Sequence, residues 1–247
     1  MKVPLQVAPS LSHPAIVGTI HSVASLAEGL TLEKPACDWL ELRVDNFFPK
    51  HISKLLKAAH CLRIPPIVTI RHTSEGGMAK GITTPRRRTL FTAFLTVAGL
   101  FDIELRQARA MAPVLAQARE AHVGVILSYH NFHRTPPARQ LRDLACKAQD
   151  AGANIFKVAT LANDPRDLAT LIQFLANEKS TMPIAAMGMG RFGKISRLVL
   201  AEAGSCLNYG FIGKPNASGQ WPVALLKARI AELRTTTPPA PGGSPGR

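Results

Sequence analysis

The stretch NIFKVAT, residues 154–160, is a short apolar strand with one lysine in it. Its β-branched and aromatic side chains are typical of a strand in the middle of a sheet, so the pattern predicts that Lys157 is buried. Burial disfavours the charged ammonium, and the neutral amine of a lysine is a nucleophile. A lysine at a strand end can instead extend to solvent, so the rest of the chain has to decide between the two.

Similar apolar runs recur along the chain, and segments with helical spacing separate them. Further strands are predicted at residues 16–20, 39–44, 66–71, 101–105, 123–130, 184–187 and 206–211. Helices are predicted at 105–121, 139–151, 195–203 and 221–233, and Asp164 with Pro165 is expected to open another. About eight strands that alternate with helices predict an α/β fold, a single (β/α)8 TIM barrel.

The length of the chain agrees with one domain, because 247 residues is close to the roughly 250 of a typical barrel. We therefore expect one catalytic barrel domain over residues 1–234. Residues 235–247 are rich in proline and glycine, and we expect them to form a disordered tail.

The chain is strongly basic, with 30 Lys and Arg against 16 Asp and Glu, a net charge of +14. The densest basic run, Arg86-Arg87-Arg88, follows a proline that is suited to start a helix, and such runs are mostly solvated faces. Positive potential would equally attract a small anionic substrate. We expect no nucleic-acid partner.

Composition also bears on location and on metals. No apolar run is long enough to span a bilayer, and the first ten residues lack the continuous apolar core of a signal peptide. The four cysteines have no paired short spacing, so a zinc motif is not indicated. The first two features predict a cytoplasmic protein.

Polar residues lie near the carboxyl ends of the predicted strands, in pairs two residues apart that share one face. In a closed barrel these faces point inward at the rim where barrel enzymes place their catalytic groups. Burying so many ionisable side chains would be costly unless they form one connected site. The candidate site consists of Glu41, Arg43, Arg71, Glu104, His130 and Lys157.

This set of side chains suggests a reaction. A lysine amine can form a Schiff base with a ketone, which acidifies the neighbouring carbon. His130, on the preceding strand, is placed to move that proton, and Glu104 is placed to orient the imidazole. Arginines at the rim would bind a carboxylate or hydroxyls. The pattern predicts dehydration or aldol-type chemistry on a polar keto acid.

Two loops near the carboxyl end of the chain contain several glycines. The loop at residues 187–197 could hold a phosphate at a helix start or simply make a tight turn. The loop at residues 213–220 has the composition of a mobile lid.

The sequence resembles the type I 3-dehydroquinate dehydratases over residues 17–220, nearly the whole predicted barrel. The resemblance rests on these motifs: Glu41-Leu42-Arg43-Val44-Asp45, Thr69-Ile70-Arg71, Glu75-Gly76-Gly77, Asp102-Ile103-Glu104-Leu105, Ser128-Tyr129-His130-Asn131-Phe132, Lys157-Val158-Ala159 and Gly193-Lys194-Ile195-Ser196-Arg197. It implies a (β/α)8 barrel that dehydrates 3-dehydroquinate to 3-dehydroshikimate without metal or cofactor. That reaction is the third step of chorismate and aromatic amino acid biosynthesis.

The resemblance also implies roles for individual residues. Lys157 matches the lysine that forms the imine, His130 the general acid and base, and Glu104 the carboxylate that positions this histidine. The residues that match substrate-binding positions are Glu41, Arg43 and Arg71 for the ring hydroxyls, Arg197 and Gln220 for the carboxylate, and Met187 and Tyr209 for the pocket wall. Asn216 stands where the lid of the family usually has a serine, and its amide can still donate to a carboxylate.

Two other functions remain open at this stage. A class I aldolase of a phosphorylated sugar would keep the Schiff base but not the Glu41 and Arg43 motif. A basic nucleic-acid-binding protein on a barrel scaffold would not need Lys157 or His130. A homodimer is the assembly to test for the enzyme.

Overall fold

The computed structural model describes residues 14–34, 36–177, 182–215 and 218–235. In these ranges eight strands alternate with eight α-helices. The strands are β1 Ala15–Ile20, β2 Trp39–Arg43, β3 Pro66–Thr69, β4 Leu100–Glu104, β5 Gly124–Asn131, β6 Ile155–Leu161, β7 Ile184–Met189 and β8 Leu207–Phe211. The helices are α1 Val23–Thr31, α2 Ile52–Ala59, α3 Thr84–Ala93, α4 Ala112–Glu120, α5 Ala138–Asp150, α6 Pro165–Asn177, α7 Gly193–Glu202 and α8 Val223–Thr235.

All paired strands run parallel, in the order β7-β6-β5-β4-β3-β2-β1-β8. At the seam between β7 and β8 the amide of Cys206 donates to the carbonyl of Ile184 at 2.8 Å. The sheet is a nearly closed (β/α)8 TIM barrel, which confirms the predicted fold class. The tail predicted at 235–247 lies outside the described residues except for Thr235, the last residue of α8.

Alternation along each strand gives the barrel two apolar cores. Residues that point outward, such as Leu40, Leu42 and Val68, pack against the helices. Residues that point inward fill the barrel itself. Near the amino ends of the strands they form two layers of four side chains, each from alternate strands, as barrels of this type do. These layers, the lower interior, are Trp39, Leu100, Ile155 and Leu207, then Val17, Ile67, Ile126 and Ala185.

The largest difference between the predicted and observed elements lies before α4. A helix was predicted from residue 105, but Leu105–Gln107 forms a short 3-10 helix and α4 begins only at Ala112. Pro113 explains the late start, because proline lacks an N–H and is tolerated only in the first turn of a helix. The other predicted elements are confirmed within a few residues.

Helix starts are fixed by local side chains. Ser22 and Ser25 cap α1 reciprocally, and the hydroxyl of Thr83 accepts from Arg86 N at the start of α3, with Pro85 in its first turn. In the part of the chain that the structure describes, no helix combines the length and hydropathy needed to cross a membrane.

Candidate active site

Above the lower interior, one level of the barrel is filled by charged and polar side chains, which we call the ionic layer: Glu41 of β2, Asp102 of β4, Lys157 of β6 and Tyr209 of β8. The Lys157 Nζ atom lies 2.8 Å from Asp102 Oδ2 and 3.4 Å from Glu41 Oε1. It also lies 3.8 Å from the centroid of the Tyr209 ring. Lys157 is only 4% exposed, so the predicted burial is confirmed and the solvent-exposed alternative is wrong. Its immediate neighbours are carboxylates as well as an aromatic face.

Asp102 is the centre of the hydrogen bonds in this layer. In addition to Lys157, it accepts from Arg71 at 2.9 Å and from the Ser128 hydroxyl at 2.6 Å. Burial alone would raise the pKa of Asp102, but Arg71 and Lys157 outweigh it and hold the pKa below its usual range. Asp102 therefore stays ionised and fixes the position of the Lys157 ammonium.

Glu104, at the end of β4, is held by arginines. Its Oε1 atom accepts from the amide of His72 at 2.6 Å and pairs with Arg71 at 3.4 Å. Its Oε2 atom pairs with Arg87 of α3 at 2.5 Å, and Arg87 also donates to the carbonyl of Ile70 at 2.7 Å. Glu104 thus ties α3 to the ends of β3 and β4 and supports Arg71 from behind.

The carboxylate that contacts His130 is Glu75. Its Oε2 atom lies 2.8 Å from His130 Nδ1 and accepts from the His130 amide at 3.0 Å. The prediction that Glu104 orients His130 is therefore corrected, since both oxygens of Glu104 are occupied by His72, Arg71 and Arg87. Glu75 belongs to the 3-10 helix Thr73–Glu75, which carries it over the end of β5.

The signal for Glu75 was present in the motif Glu75-Gly76-Gly77. Gly76 has a φ of +83°, a conformation that favours glycine. A Cβ atom on Gly77 would lie 2.0 Å from the carbonyl oxygen of Arg71. The two glycines let the chain fold back over β3, and this places the acidic residue before them at the pocket.

The surroundings of Glu75 and His130 shift the pKa values of these two side chains in opposite directions. Burial, together with the charges of Arg71 and Lys157, lowers the pKa of His130 well below its usual value. Burial raises the pKa of Glu75 to about 7, although Arg71 and Arg106 oppose this shift. At neutral pH the imidazole is neutral and able to accept a proton.

Arg43 and Glu41 line the pocket from β2. The guanidinium of Arg43 makes two hydrogen bonds to Asp45, at 3.1 and 2.9 Å. Glu41 accepts from the Thr69 hydroxyl at 3.0 Å in addition to its contact with Lys157. Both side chains are therefore held in place while part of each faces the pocket.

Arg197 of α7 donates hydrogen bonds to backbone carbonyls, and among the described residues these are its only acceptors. It donates to the carbonyls of Tyr209, Gly188, Gly193 and Gly219, at distances from 2.6 to 3.1 Å. Burial lowers the pKa of Arg197 to about 10, which still leaves it charged at neutral pH. Since carbonyls only partly offset a buried guanidinium, the site is suited to bind an anion.

One pocket at the carboxyl ends of the strands brings most of the predicted residues together. Of the predicted set it is lined by Glu41, Arg43, Arg71, His130, Lys157, Met187, Arg197, Tyr209 and Gln220, and also by Glu75, Gly76, Phe132, Ala159 and Met189. Glu104 lies behind Arg71 and does not line it. Asn216 lies outside the described residues. The Tyr209 hydroxyl is buried, and burial raises its pKa well above its usual range, so the residue contributes a protonated, mainly aromatic wall.

The glycine-rich loop after β7 serves as a turn and as a contact for the last loop. Gly190 has a φ of +77°, typical of a tight turn. A Cβ atom on Gly193 would lie 2.8 Å from Gly219 Cα, so only glycine allows these two backbones to meet. The carbonyls of this close contact are among those that hold Arg197.

The run Arg86-Arg87-Arg88 is not a uniform solvated face. Arg87 is 1% exposed and bound to Glu104, and Arg88 donates to the carbonyl of Ala110 at 2.9 Å. Only Arg86 of the three is exposed. The run therefore connects α3 to the barrel instead of presenting three cations to a partner.

Within the described ranges, no group of three His, Cys, Asp or Glu is arranged to hold a metal ion.

The fold and this pocket define an enzyme of the (β/α)8 class with a buried lysine and a neutral histidine at the carboxyl ends of its strands. Comparison with known proteins identifies its family. The family model described as type I 3-dehydroquinase matches residues 16–235. The chain belongs to the type I 3-dehydroquinate dehydratases, enzymes that dehydrate 3-dehydroquinate in the shikimate pathway, which confirms the resemblance inferred from the motifs.

Individual relatives agree. The catabolic 3-dehydroquinate dehydratase of Acinetobacter baylyi is 33% identical over 177 residues, which cover 70% of this chain and 65% of that protein. The 3-dehydroquinate dehydratase of Geobacillus sp. is 31% identical over 231 residues, 89% of this chain and 88% of that protein. The crystal structure of the Geobacillus kaustophilus 3-dehydroquinate dehydratase superposes with a TM-score of 0.84 at 27% identity, covering 92% of this chain and 93% of that one.

Proposed function

We propose that this chain dehydrates 3-dehydroquinate to 3-dehydroshikimate through an imine on Lys157, with His130 as general acid and base. The observation that carries the proposal is that Lys157 and a neutral His130 line the same pocket.

Lys157 acts as the nucleophile. Its ammonium first gives a proton to His130, and the free amine then attacks the ketone carbon. The oxygen leaves as water with one proton from the amine and the one held by His130, and a positively charged iminium remains. Asp102 and Glu41 lie within 3.4 Å of Nζ, so the carboxylates that stabilise the resting ammonium also stabilise the iminium. This charge is provided before the reaction, and little reorganisation is needed.

His130 moves the proton. Its Nε2 atom takes a proton from the carbon next to the iminium and forms an enamine. The enamine then expels the hydroxyl on the following carbon, and this hydroxyl leaves as water with the proton from His130. Hydrolysis of the product iminium frees Lys157. Glu75, bound to His130 Nδ1, replaces Glu104 as the residue that we expect to orient the imidazole.

Substrate binding is assigned from pocket position and charge. Arg197 and Gln220 are proposed to bind the substrate carboxylate, and Arg43, Arg71 and Glu41 the ring hydroxyls. Met187 and Tyr209 provide the apolar and aromatic wall. Asn216 remains a sequence prediction for the carboxylate side.

We also propose that the enzyme acts in the cytoplasm and does not bind nucleic acid, and a homodimer is the assembly to test. All four cysteines are free thiols, which fits a reducing compartment. The burial of Arg87 and the carbonyl contact of Arg88 reduce the basic surface that a nucleic acid would need. Sedimentation analysis of the purified protein tests the dimer directly.

The proposal is tested by trapping the imine with borohydride and 3-dehydroquinate, followed by mass spectrometry of peptides. The wild type and His130→Ala should carry the reduced adduct on Lys157, and His130→Ala should accumulate more because proton removal is blocked. Lys157→Ala should carry none, whereas Lys147→Ala, which changes an exposed lysine of α5, should behave as the wild type. Enone absorbance should rise only where the adduct forms and His130 is present. Turnover of 3-dehydroquinate without an adduct would overturn the mechanism, and turnover of sugar phosphates instead would favour an aldolase.

A further inference from the structure

Glu75 has two oxygens with different neighbours. Oε2 faces His130, which it contacts at 2.8 Å. Oε1 lies 2.7 Å from Arg106 Nε, and this is the ion pair that Oε1 makes among the described residues. The Glu75 side chain is 1% exposed, whereas that of Arg106 is 49% exposed. A residue at the surface therefore reaches the buried carboxylate that holds His130.

Arg106 reaches Glu75 because of where β4 ends. It lies in the 3-10 helix Leu105–Gln107, directly after β4, while Glu75 lies in the 3-10 helix after β3. Glu104, two residues before Arg106 in the sequence, is paired with Arg71 and Arg87 instead. Arg106 is thus available to Glu75 across the gap between two loops.

Four ionisable groups face Glu75 from the surrounding elements. Arg71 of the β3 end and Arg106 favour its charged form, Glu104 of β4 disfavours it, and His130 of β5 contacts it directly. Burial is the largest influence and raises the pKa of Glu75 to about 7. Because this pKa is close to neutral pH, the charge of one neighbouring cation changes the fraction of Glu75 that is ionised.

The charge of Glu75 determines which imidazole nitrogen carries the proton. An ionised Glu75 accepts from Nδ1–H, and this leaves the lone pair of Nε2 free to take a proton from the substrate. A protonated Glu75 donates to Nδ1 instead, and the neutral ring then carries its proton on Nε2. In that form His130 cannot start the reaction as a base.

We infer that Arg106 is a positioning residue that acts through Glu75 to keep the Nε2 atom of His130 free to accept a proton at neutral pH. The inference rests on the proposed role of His130 as the base. Arg106 does not line the pocket, so its effect reaches the reaction only through the carboxylate.

The test is the pH dependence of kcat/KM for wild type, Arg106→Gln, Arg106→Lys and Arg109→Gln. Removing a positive neighbour raises the pKa at which Glu75 protonates, so the acid limb of Arg106→Gln should move to higher pH by roughly 0.3 to 1 pH unit. Its alkaline plateau should match the wild type. Arg106→Lys keeps the positive charge, so its acid limb should lie close to that of the wild type. Arg109→Gln, an exposed arginine of the same segment, should leave the limb unchanged.

Ionic strength provides an independent measurement. Salt screens a half-exposed cation, so added salt should move the acid limb of the wild type in the same direction and leave that of Arg106→Gln nearly unchanged. An unmoved limb in Arg106→Gln, or a loss of activity equal at every pH, would overturn the inference while the wild type remains active. An inactive wild type without an adduct on Lys157 would instead refute the proposed function.

Discussion

The interior of the barrel has two halves that are built from the same strands and differ completely in chemistry. The lower interior consists of apolar side chains packed in two layers. Two residues further along each even-numbered strand, Trp39, Leu100, Ile155 and Leu207 give way to Glu41, Asp102, Lys157 and Tyr209. The strand alternation that points an apolar residue inward in the lower interior thus points an ionisable one inward above it.

This difference separates stability from function along the barrel axis. The lower interior stabilises the fold by removing apolar area from water. The ionic layer carries a desolvation cost, which Lys157 and Arg71 offset by pairing with Asp102. Such a layer is retained at the end of the barrel where loops admit a substrate. The two halves should therefore respond differently to substitution.

The largest effect is expected for Lys157→Met, which extends apolar chemistry into the ionic layer. Turnover of 3-dehydroquinate should fall by at least about 10⁴-fold, because the nucleophile is lost. Steady-state kinetics, with circular dichroism as a check on the fold, measures this. Lys147→Met is the matched control and should retain full activity. A folded Lys157→Met enzyme within tenfold of wild type would mean that the ionic layer is not the reacting centre.

Asp102→Asn keeps the shape of the layer and removes one charge from it. We expect kcat to fall by roughly 10² to 10³-fold, as for other losses of a fixed group that stabilises transition-state charge. The rate of borohydride trapping should fall in parallel, because the iminium loses its nearest carboxylate. Asp38→Asn removes a carboxylate at the opposite end of the barrel, where Asp38 accepts from Ile16 N, and should leave both rates unchanged. If Asp38→Asn lowered both rates as much as Asp102→Asn does, function would not be confined to the ionic layer end of the barrel.

Leu100→Ala tests the lower interior. Leu100 is fully buried, so its truncation should lower the free energy of unfolding by roughly 2 to 5 kcal/mol. Chemical denaturation measures this change. Well below the melting temperature, kcat should stay within about twofold of wild type, because Leu100 lies one even-strand layer below Lys157. A large loss of kcat in the folded variant would show that packing and chemistry are not separated along the axis.

The sequence alone was sufficient to predict the halves of the barrel. Ionisable residues follow apolar ones at a spacing of two within several strands, and this parity determines that Glu41, Asp102 and Lys157 point inward once the sheet closes. The register between strands then brings them to one level. The burial of Lys157 in one site with Glu41 could be predicted for this reason, although Asp102 was not among the candidate residues.

Contacts made by loops and helix faces could not be predicted from strand parity. Glu75 reaches His130 only because the glycines after it turn the chain back, and no spacing rule connects residues 75 and 130. Arg87 was obscured by the arginines on either side of it. Its position three and four residues before the buried Leu90 and Phe91 places it on the inner face of α3, a signal that helical periodicity carries.

The smallest expected effect concerns the pH dependence of stability, where Glu75 and His130 act in opposite directions. The pKa of Glu75 is raised from 4.5 to about 7, so the folded state binds a proton that the unfolded state lacks between these values. The contribution of Glu75 is therefore lost as pH rises through this range. The pKa of His130 is lowered below 6.5, so its contribution is present above pH 6.5 and is lost as pH falls.

Between about pH 5 and 6.5 the two slopes nearly cancel in the wild type, and its stability should vary little with pH. His130→Gln should leave the Glu75 slope, so stability should fall as pH rises, by up to about 1.4 kcal/mol per pH unit. Glu75→Gln should leave the His130 slope, so stability should rise with pH by a similar amount. Urea denaturation at several pH values measures both. Leu100→Ala leaves both Glu75 and His130 in place. Its stability should therefore be lower than that of the wild type but should vary equally little with pH. If stability changed with pH in the same direction in His130→Gln and Glu75→Gln, the raised pKa of Glu75 and the lowered pKa of His130 could not both be right. The acid and base chemistry of this pocket depends on both shifts.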